Sequence, residues 1–278
     1  MLTDVELRVV LPNESPAMEP ARLTELAAGA ERLGYGAVLL PDHLLPPSPY
    51  GPEYGGVYEP LTTLAFLAAA TQRIGLGMSV LVLPLREPFL VAKQAATVHR
   101  LSGGRLTLTV GAGWVRSEFD AARADYASRG GYVEDALRLV RTLFSGATSY
   151  DDERFGYEQG VFEPRPLTPL PIAVGGTTDA ALRRAAAVAD EWHAFALDAD
   201  GFASRLAVLR SLREAGPLAG QPLRAGTRIE WAGGRSSLAA AVDSVHALTA
   251  AGADSVAVWF GDEDGFGERM EEFAAAFA

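Results

Sequence analysis

The strongest constraint on the fold of this chain is an alternation that runs through it from end to end. Short apolar runs alternate with longer, alanine-rich runs of helical period. Such alternation builds a parallel sheet covered by helices. The runs "VELRVVL" (5–11), "GAVLL" (36–40), "IGLGMSVLVL" (74–83) and "RLTLTV" (105–110) are the first four strands. Between them lie the helices "EPARLTELAAGAERLG" (19–34), ended by Gly34, "EPLTTLAFLAAATQ" (59–72), with Pro60 suited to its first turn, and "REPFLVAKQAATVHRL" (86–101). The runs "PIAV" (171–174), "EWHAFAL", "RAGTRIEWAG" and "SVAVWF" are strands five to eight, each followed by a helical run.

The alternation breaks twice. "GWVRSEFDAARADYASRG" adds a loop and a short helix after the fourth strand, ahead of the helix "GYVEDALRLVRTLFSG". Ala147 to Pro171, rich in Pro, Gly, Asp and Tyr, is a long excursion before the fifth strand. Eight strand–helix units predict an α/β fold, a (β/α)8 TIM barrel, as a single domain over 1–278 with these two insertions. The rival is a doubly wound open sheet of similar length; the short, buried-looking strands and their count favour the barrel.

Composition narrows the function. A chain of 278 residues, 49% hydrophobic, can bury a sizeable core. It has no cysteine, so a disulfide framework, a thiolate metal site and a cysteine nucleophile are excluded. The N-terminus lacks a basic stretch followed by a long apolar run, and no apolar stretch approaches the roughly 18 residues that span a bilayer. The expectation is a cytoplasmic protein without a membrane partner. A net charge of −11 argues against nucleic acid as a partner and leaves a small molecule.

In a barrel of this kind the working residues lie just past the C-terminal ends of the strands. Those positions are Pro41-Asp42-His43, Ser79-Val80, Gly111-Ala112-Gly113-Trp114, Gly175-Gly176-Thr177-Thr178, His193, Glu230-Trp231 and Asp262-Glu263-Asp264. A carboxylate and an imidazole in Asp42-His43 suit proton transfer, or else a turn cap beside a satisfied histidine. "VGAGWVR" begins like a dinucleotide fingerprint, but Arg116 stands where the third glycine belongs, so that reading is rejected. What survives is a bare backbone where something can lie close. Two glycines and two threonines before a helix offer N–H and hydroxyl donors to a phosphate, or an ordinary helix cap.

His99 is expected to answer a helix dipole, His246 to lie on the surface, and His193 to point into the mouth or the core. Adjacent acids 262–264 read as a solvated helix start rather than a metal cluster, and no metal site is expected.

The stretches "GAVLLPDHLLPP", "EPLTTLAFLAAATQRIGLGMSVLVLPLREPFLVAKQAATVHRLSGGRLTLTVGAGWVRSEF", "RGGYVEDALRLVRTLFSG" and "PIAVGGTTDAALRRAAAVADEWHAF" together resemble the luciferase-like monooxygenase superfamily, and within it the branch that uses coenzyme F420. The resemblance implies a (β/α)8 barrel with a flavin or deazaflavin ring in its mouth, and a non-prolyl cis peptide at Ser79–Val80 behind that ring. It implies His43 near the reactive ring carbon, with Asp42 tuning its tautomer. It also implies Ser79, Val80, Gly111, Ala112 and Gly113 against the ring, and Gly175, Gly176 and Thr177 at the phosphate. Trp114 stands where some deazaflavin sugar dehydrogenases carry a catalytic Glu, and Pro46 and Pro47 stand where those enzymes carry a Trp. A less polar substrate near Trp114 follows.

The expected activity is hydride transfer between the deazaflavin and an activated alkene, imine or carbonyl. Segments 114–129 and 147–170 are expected to cover the substrate. FMN with a partner reductase is the alternative cofactor arrangement, and an inactive flavin-binding barrel is the third. A homodimer is also implied.

Overall fold

The computed structural model describes residues 5–14, 18–46, 58–233 and 237–278. Its strands are β1 (Glu6–Val10), β2 (Ala37–Leu40), β3 (Gly75–Met78), β4 (Leu81–Val82), β5 (Leu108–Gly111), β6 (Tyr150–Asp151), β7 (Gly156–Tyr157), β8 (Ile172–Gly175), β9 (Glu191–Phe195), β10 (Arg224–Glu230) and β11 (Ser255–Trp259). All but β6 and β7 form one sheet in the order β3-β2-β1-β11-β10-β9-β8-β5-β4. Every ladder in it is parallel. The first and last members, β3 and β4, are two pieces of one stave parted at Ser79–Val80, whose peptide bond is cis. The sheet therefore closes on itself as an eight-staved barrel, and the open doubly wound alternative is ruled out.

Around it pack α1 (Pro20–Arg32), α2 (Pro60–Ala70), α3 (Pro88–Leu101), α4 (Arg116–Ala122), α5 (Arg129–Ser145), α6 (Asp179–Val188), α7 (Ala199–Glu214), α8 (Leu238–Ala250) and α9 (Phe266–Ala275). The first three of these each open on a Glu-Pro pair. Proline at the first helical position lacks an N–H that would be unsatisfied anyway. The carboxylates of Glu59 and Glu87 accept the next free ones, from Thr62 (2.7 Å) and from Phe89 and Leu90 (3.2 and 2.8 Å).

Strand alternation sends Val9, Val38, Leu108, Ile172, Trp192 and Val256 outward, fully buried beneath the helices. The opposite face fills the barrel. At its N-terminal end Arg8 bonds Glu191 in two places (2.5 and 3.0 Å) and Glu6 at 2.8 Å, and Arg224 reaches Glu6 at 2.6 Å. Above this charge-balanced plug lie Val10, Leu39 and Ala257.

Three sequence expectations are revised. The run 74–83 is not one strand but two short ones on either side of the break at Ser79–Val80. The fourth strand starts at Leu108 rather than Arg105, because Arg105 donates to the carbonyls of Ala68, Thr71 and Ile74 at the foot of the barrel. The excursion 147–170 contains the hairpin β6–β7, and Phe155, Tyr157 and Phe162 pack against Tyr132, Phe89 and Phe144 on the outer flank of α3 and α5.

Candidate active site

The C-terminal ends of the staves carry the candidate residues. Asp42 follows β2 and is buried, its side chain 1% exposed. Its Oδ2 accepts from the Val82 N–H (2.7 Å) and Arg86 Nη1 (2.7 Å), and its Oδ1 from Arg86 Nη2 (2.9 Å). Burial raises its pKa above the ordinary carboxylate value, while Arg86 and the Val82 N–H oppose the rise. Asp42 thus ties the end of β2 to the second half of the broken stave. Its oxygens are engaged by Arg86 and Val82, so the expectation that Asp42 tunes His43 is revised: a different carboxylate faces the ring.

The carboxylate at His43 is that of Glu118, on the short helix α4. Glu118 Oε2 lies 3.0 Å from His43 Nδ1, and Oε1 accepts the N–H groups of Leu44 (2.7 Å) and Leu45 (2.9 Å). Glu118 is buried because Phe119 beside it is locked in the core and α4 lies under the loop after β2. Trp114 stands edge-on to His43, ring centroids 5.9 Å apart at 88°. The rim of the mouth is apolar and open: Leu44, Leu45 and Trp114 near this pair, and Phe195 at the end of β9, are all more than half exposed.

Ser79 and Val80, at the parting of the stave, are half-buried. Ser79 Oγ bonds His193 Nε2 at 3.0 Å, so His193 points into the barrel beneath the mouth. Burial, reinforced by Arg8 and Arg228, pushes the His193 pKa down to about 3, which keeps its ring neutral. The bare backbone at the glycines has a local cause. A Cβ on Gly111 would overlap Val80 Cγ2, one on Gly175 would lie 2.7 Å from Val80 Cγ1, and one on Gly113 would lie 2.5 Å from Val82 Cγ1. These glycines make room for the side chains of the broken stave, and Ala112 between them is half-buried.

After β8, Gly176 turns with φ +117° and its carbonyl accepts the Trp192 indole N–H (2.7 Å). Thr178 then caps α6 through the Ala181 N–H (3.2 Å), and Thr177 is half-buried beside it. The N–H groups of Asp179 and Ala180 have no intrahelical acceptor, and Asp179's carboxylate is engaged by Arg205 at 2.8 Å. Across the mouth, the Trp259 indole N–H is buried with no acceptor.

The remaining histidines and acids stand apart from this group. His99 lies in the last turn of α3, but buried rather than open to solvent. Burial lowers its pKa, and its Nδ1 accepts the Leu167 N–H at 3.3 Å. His246 is exposed on α8. Among the described residues no cluster of His, Asp or Glu could hold a metal ion, and no helix is long and apolar enough to cross a membrane.

Sequence reasoning missed Glu118, Arg86 and the Ser79–His193 contact. A single charged residue in a polar helical stretch looks the same whether it faces water or a buried histidine. The one available signal was Phe119, an apolar anchor that turns its neighbour inward.

Comparison with known proteins shows the family and the fold. The family described as luciferase-like monooxygenase matches residues 5–229. An uncharacterized protein of Mycobacterium tuberculosis is 34% identical over 203 residues, 68% of this chain and 70% of its own length. An F420-dependent glucose-6-phosphate dehydrogenase of Nakamurella multipartita is 31% identical over 175 residues, 62% of this chain and 51% of the dehydrogenase. Among solved structures, an F420-dependent secondary alcohol dehydrogenase in complex with an F420-acetone adduct superposes with a TM-score of 0.84 at 13% identity, covering 99% of this chain and 100% of that one. The monooxygenase RslO1 from Streptomyces bottropensis gives 0.81 at 17% identity, covering 98% of each. At these identities the structural likenesses establish the barrel fold.

Proposed function

Since the chain belongs to the luciferase-like monooxygenase family, we propose that it is a coenzyme F420-dependent oxidoreductase acting on a small organic substrate such as an activated alkene, imine or carbonyl. The observation that carries this reading is His43, held on Glu118 and flanked by Trp114 at the mouth of the barrel. Histidine titrates nearest neutrality, so it is the residue suited to exchange the proton that accompanies a hydride.

The residues present fit such a cofactor at two points. The unpartnered Trp259 N–H offers a donor inside the mouth, and the N-terminus of α6 after Gly176 offers backbone donors to a phosphate. Ser79, Val80 and Ala112 would form the wall against the ring, with the Val80 and Val82 side chains rather than the ring filling the space beside Gly111 and Gly113, and Gly175, Gly176 and Thr177 the phosphate end. When bound, the deazaflavin supplies or accepts the hydride. The protein's part is to orient, to exclude water and to hold the proton on His43. The apolar rim of Leu44, Leu45, Trp114 and Phe195 suits a substrate with an apolar body.

The test is a fluorescence titration of the purified protein with F420 and with FMN. Tighter binding of F420, with turnover of reduced F420 lost in His43→Ala, is the expected result. FMN binding tenfold tighter, about 1.4 kcal/mol, would overturn the cofactor assignment in favour of an FMN-dependent monooxygenase. The homodimer is proposed on the resemblance alone, and light scattering on the same sample decides it.

A further inference from the structure

We propose that Glu118 is the positioning residue of this site, fixing the tautomer of His43 and stabilising the charge that forms on its ring. The inference rests on the reading of His43 as the proton-exchanging group. It begins from the arrangement of the carboxylate. Glu118 is buried and both of its oxygens are engaged: Oε1 receives the Leu44 and Leu45 N–H groups, and Oε2 faces His43 Nδ1 at 3.0 Å. Two backbone donors on one oxygen hold the carboxylate plane, so it cannot swing away from the ring. A carboxylate oxygen accepts and does not donate, so the ring proton belongs on Nδ1. Nε2 is then the nitrogen that gains or loses a proton. When it gains one, the imidazolium is paired with a fixed, desolvated carboxylate.

The same geometry makes the isosteric variant informative. In Glu118→Gln, the two backbone N–H groups demand an acceptor, so the amide oxygen must take the Oε1 position. The NH2 then faces His43 Nδ1, which must turn from donor to acceptor, and the ring proton moves to Nε2. Glu118→Gln is therefore expected to reverse the tautomer while keeping the shape of the site. Glu118→Asp retains the carboxylate and is expected to restore the original tautomer in part.

The experiment has two arms. Nitrogen-15 NMR of His43 in the cofactor-free protein, wild type and Glu118→Gln, reads the tautomer directly. Single-turnover hydride transfer with F420 reads its consequence. A proton on Nδ1 in the wild type, its transfer to Nε2 in the variant, and a rate lowered by roughly 10²–10⁴-fold support the proposal. An unchanged tautomer in Glu118→Gln overturns it, as does a reversed tautomer with an unchanged rate. If the wild type transfers no hydride with F420, the proposed function fails. The NMR arm still decides whether Glu118 sets the state of His43.

Discussion

Asp42 and Arg86 meet in a two-pronged ion pair, Nη1 to Oδ2 at 2.7 Å and Nη2 to Oδ1 at 2.9 Å, with side chains 1% and 13% exposed. Because Asp42 also takes the Val82 N–H, this pair fastens β4 to the end of β2 across the break in the stave. Asp42→Ala leaves the half-buried Arg86 guanidinium only its longer contacts to Glu59 and the Val82 carbonyl, and strands the Val82 N–H. The expected loss is about 1–3 kcal/mol of folding stability, read from urea unfolding. A loss below about 1 kcal/mol would show that the pair is solvated and holds nothing.

Val80 and the glycines around it form a second dependency. Gly111→Ala forces a methyl into Val80 Cγ2 and is expected to cost about 1–3 kcal/mol by overpacking. Val80→Ala removes the obstacle. The double variant should then be less destabilised than the sum of the singles, with a coupling of about 1 kcal/mol or more. Strict additivity would mean that Val80 is not what keeps position 111 bare.

His193 should leave a mark on the pH dependence of stability. Its folded pKa is near 3, and its unfolded value is about 6.5. Between those values the unfolded chain binds the extra proton. This histidine therefore costs no stability above the unfolded value, and stability falls as pH drops through it, with a slope of up to about 1.4 kcal/mol per pH unit. His99, also lowered by burial, acts with the same sign. Urea unfolding between pH 7 and pH 4.5 should show a shallower fall for His193→Asn than for the wild type. Parallel curves would sink the assignment.

Trp114 lies edge-on to His43 and is half open to solvent. If an apolar substrate packs on it, Trp114→Ala should raise KM about tenfold, within the range of one lost aromatic contact, with kcat changed less. Trp114→Phe should recover most of the loss. Steady-state kinetics with an apolar and a polar substrate separates this from a general disturbance, which would raise both KM values alike.

Much of this was legible in the chain. Hydrophobic period separated strand from helix, and the count of eight units identified the barrel, because a strand–helix alternation has few ways to bury its apolar faces. Placement at strand ends then picked out His43, Ser79, Val80, Trp114 and Gly175–Thr177 as neighbours of one mouth. Gly103 and Gly104, with φ of +68° and +93°, turn α3 towards β5, as their position before a strand suggests.

Only the tertiary structure decided the partners. The family resemblance implies that Asp42 tunes His43, yet consecutive residues past a strand end point different ways. Asp42 turned to Arg86, 44 positions on, and His43 to Glu118, 75 positions on. The glycines at 111 and 175 are bare because Val80, brought between them by barrel closure, occupies their missing side chains. Local pattern determines which elements form and which end of them works. Charge pairing and steric fit across the mouth depend on distances that exist only once the sheet has closed.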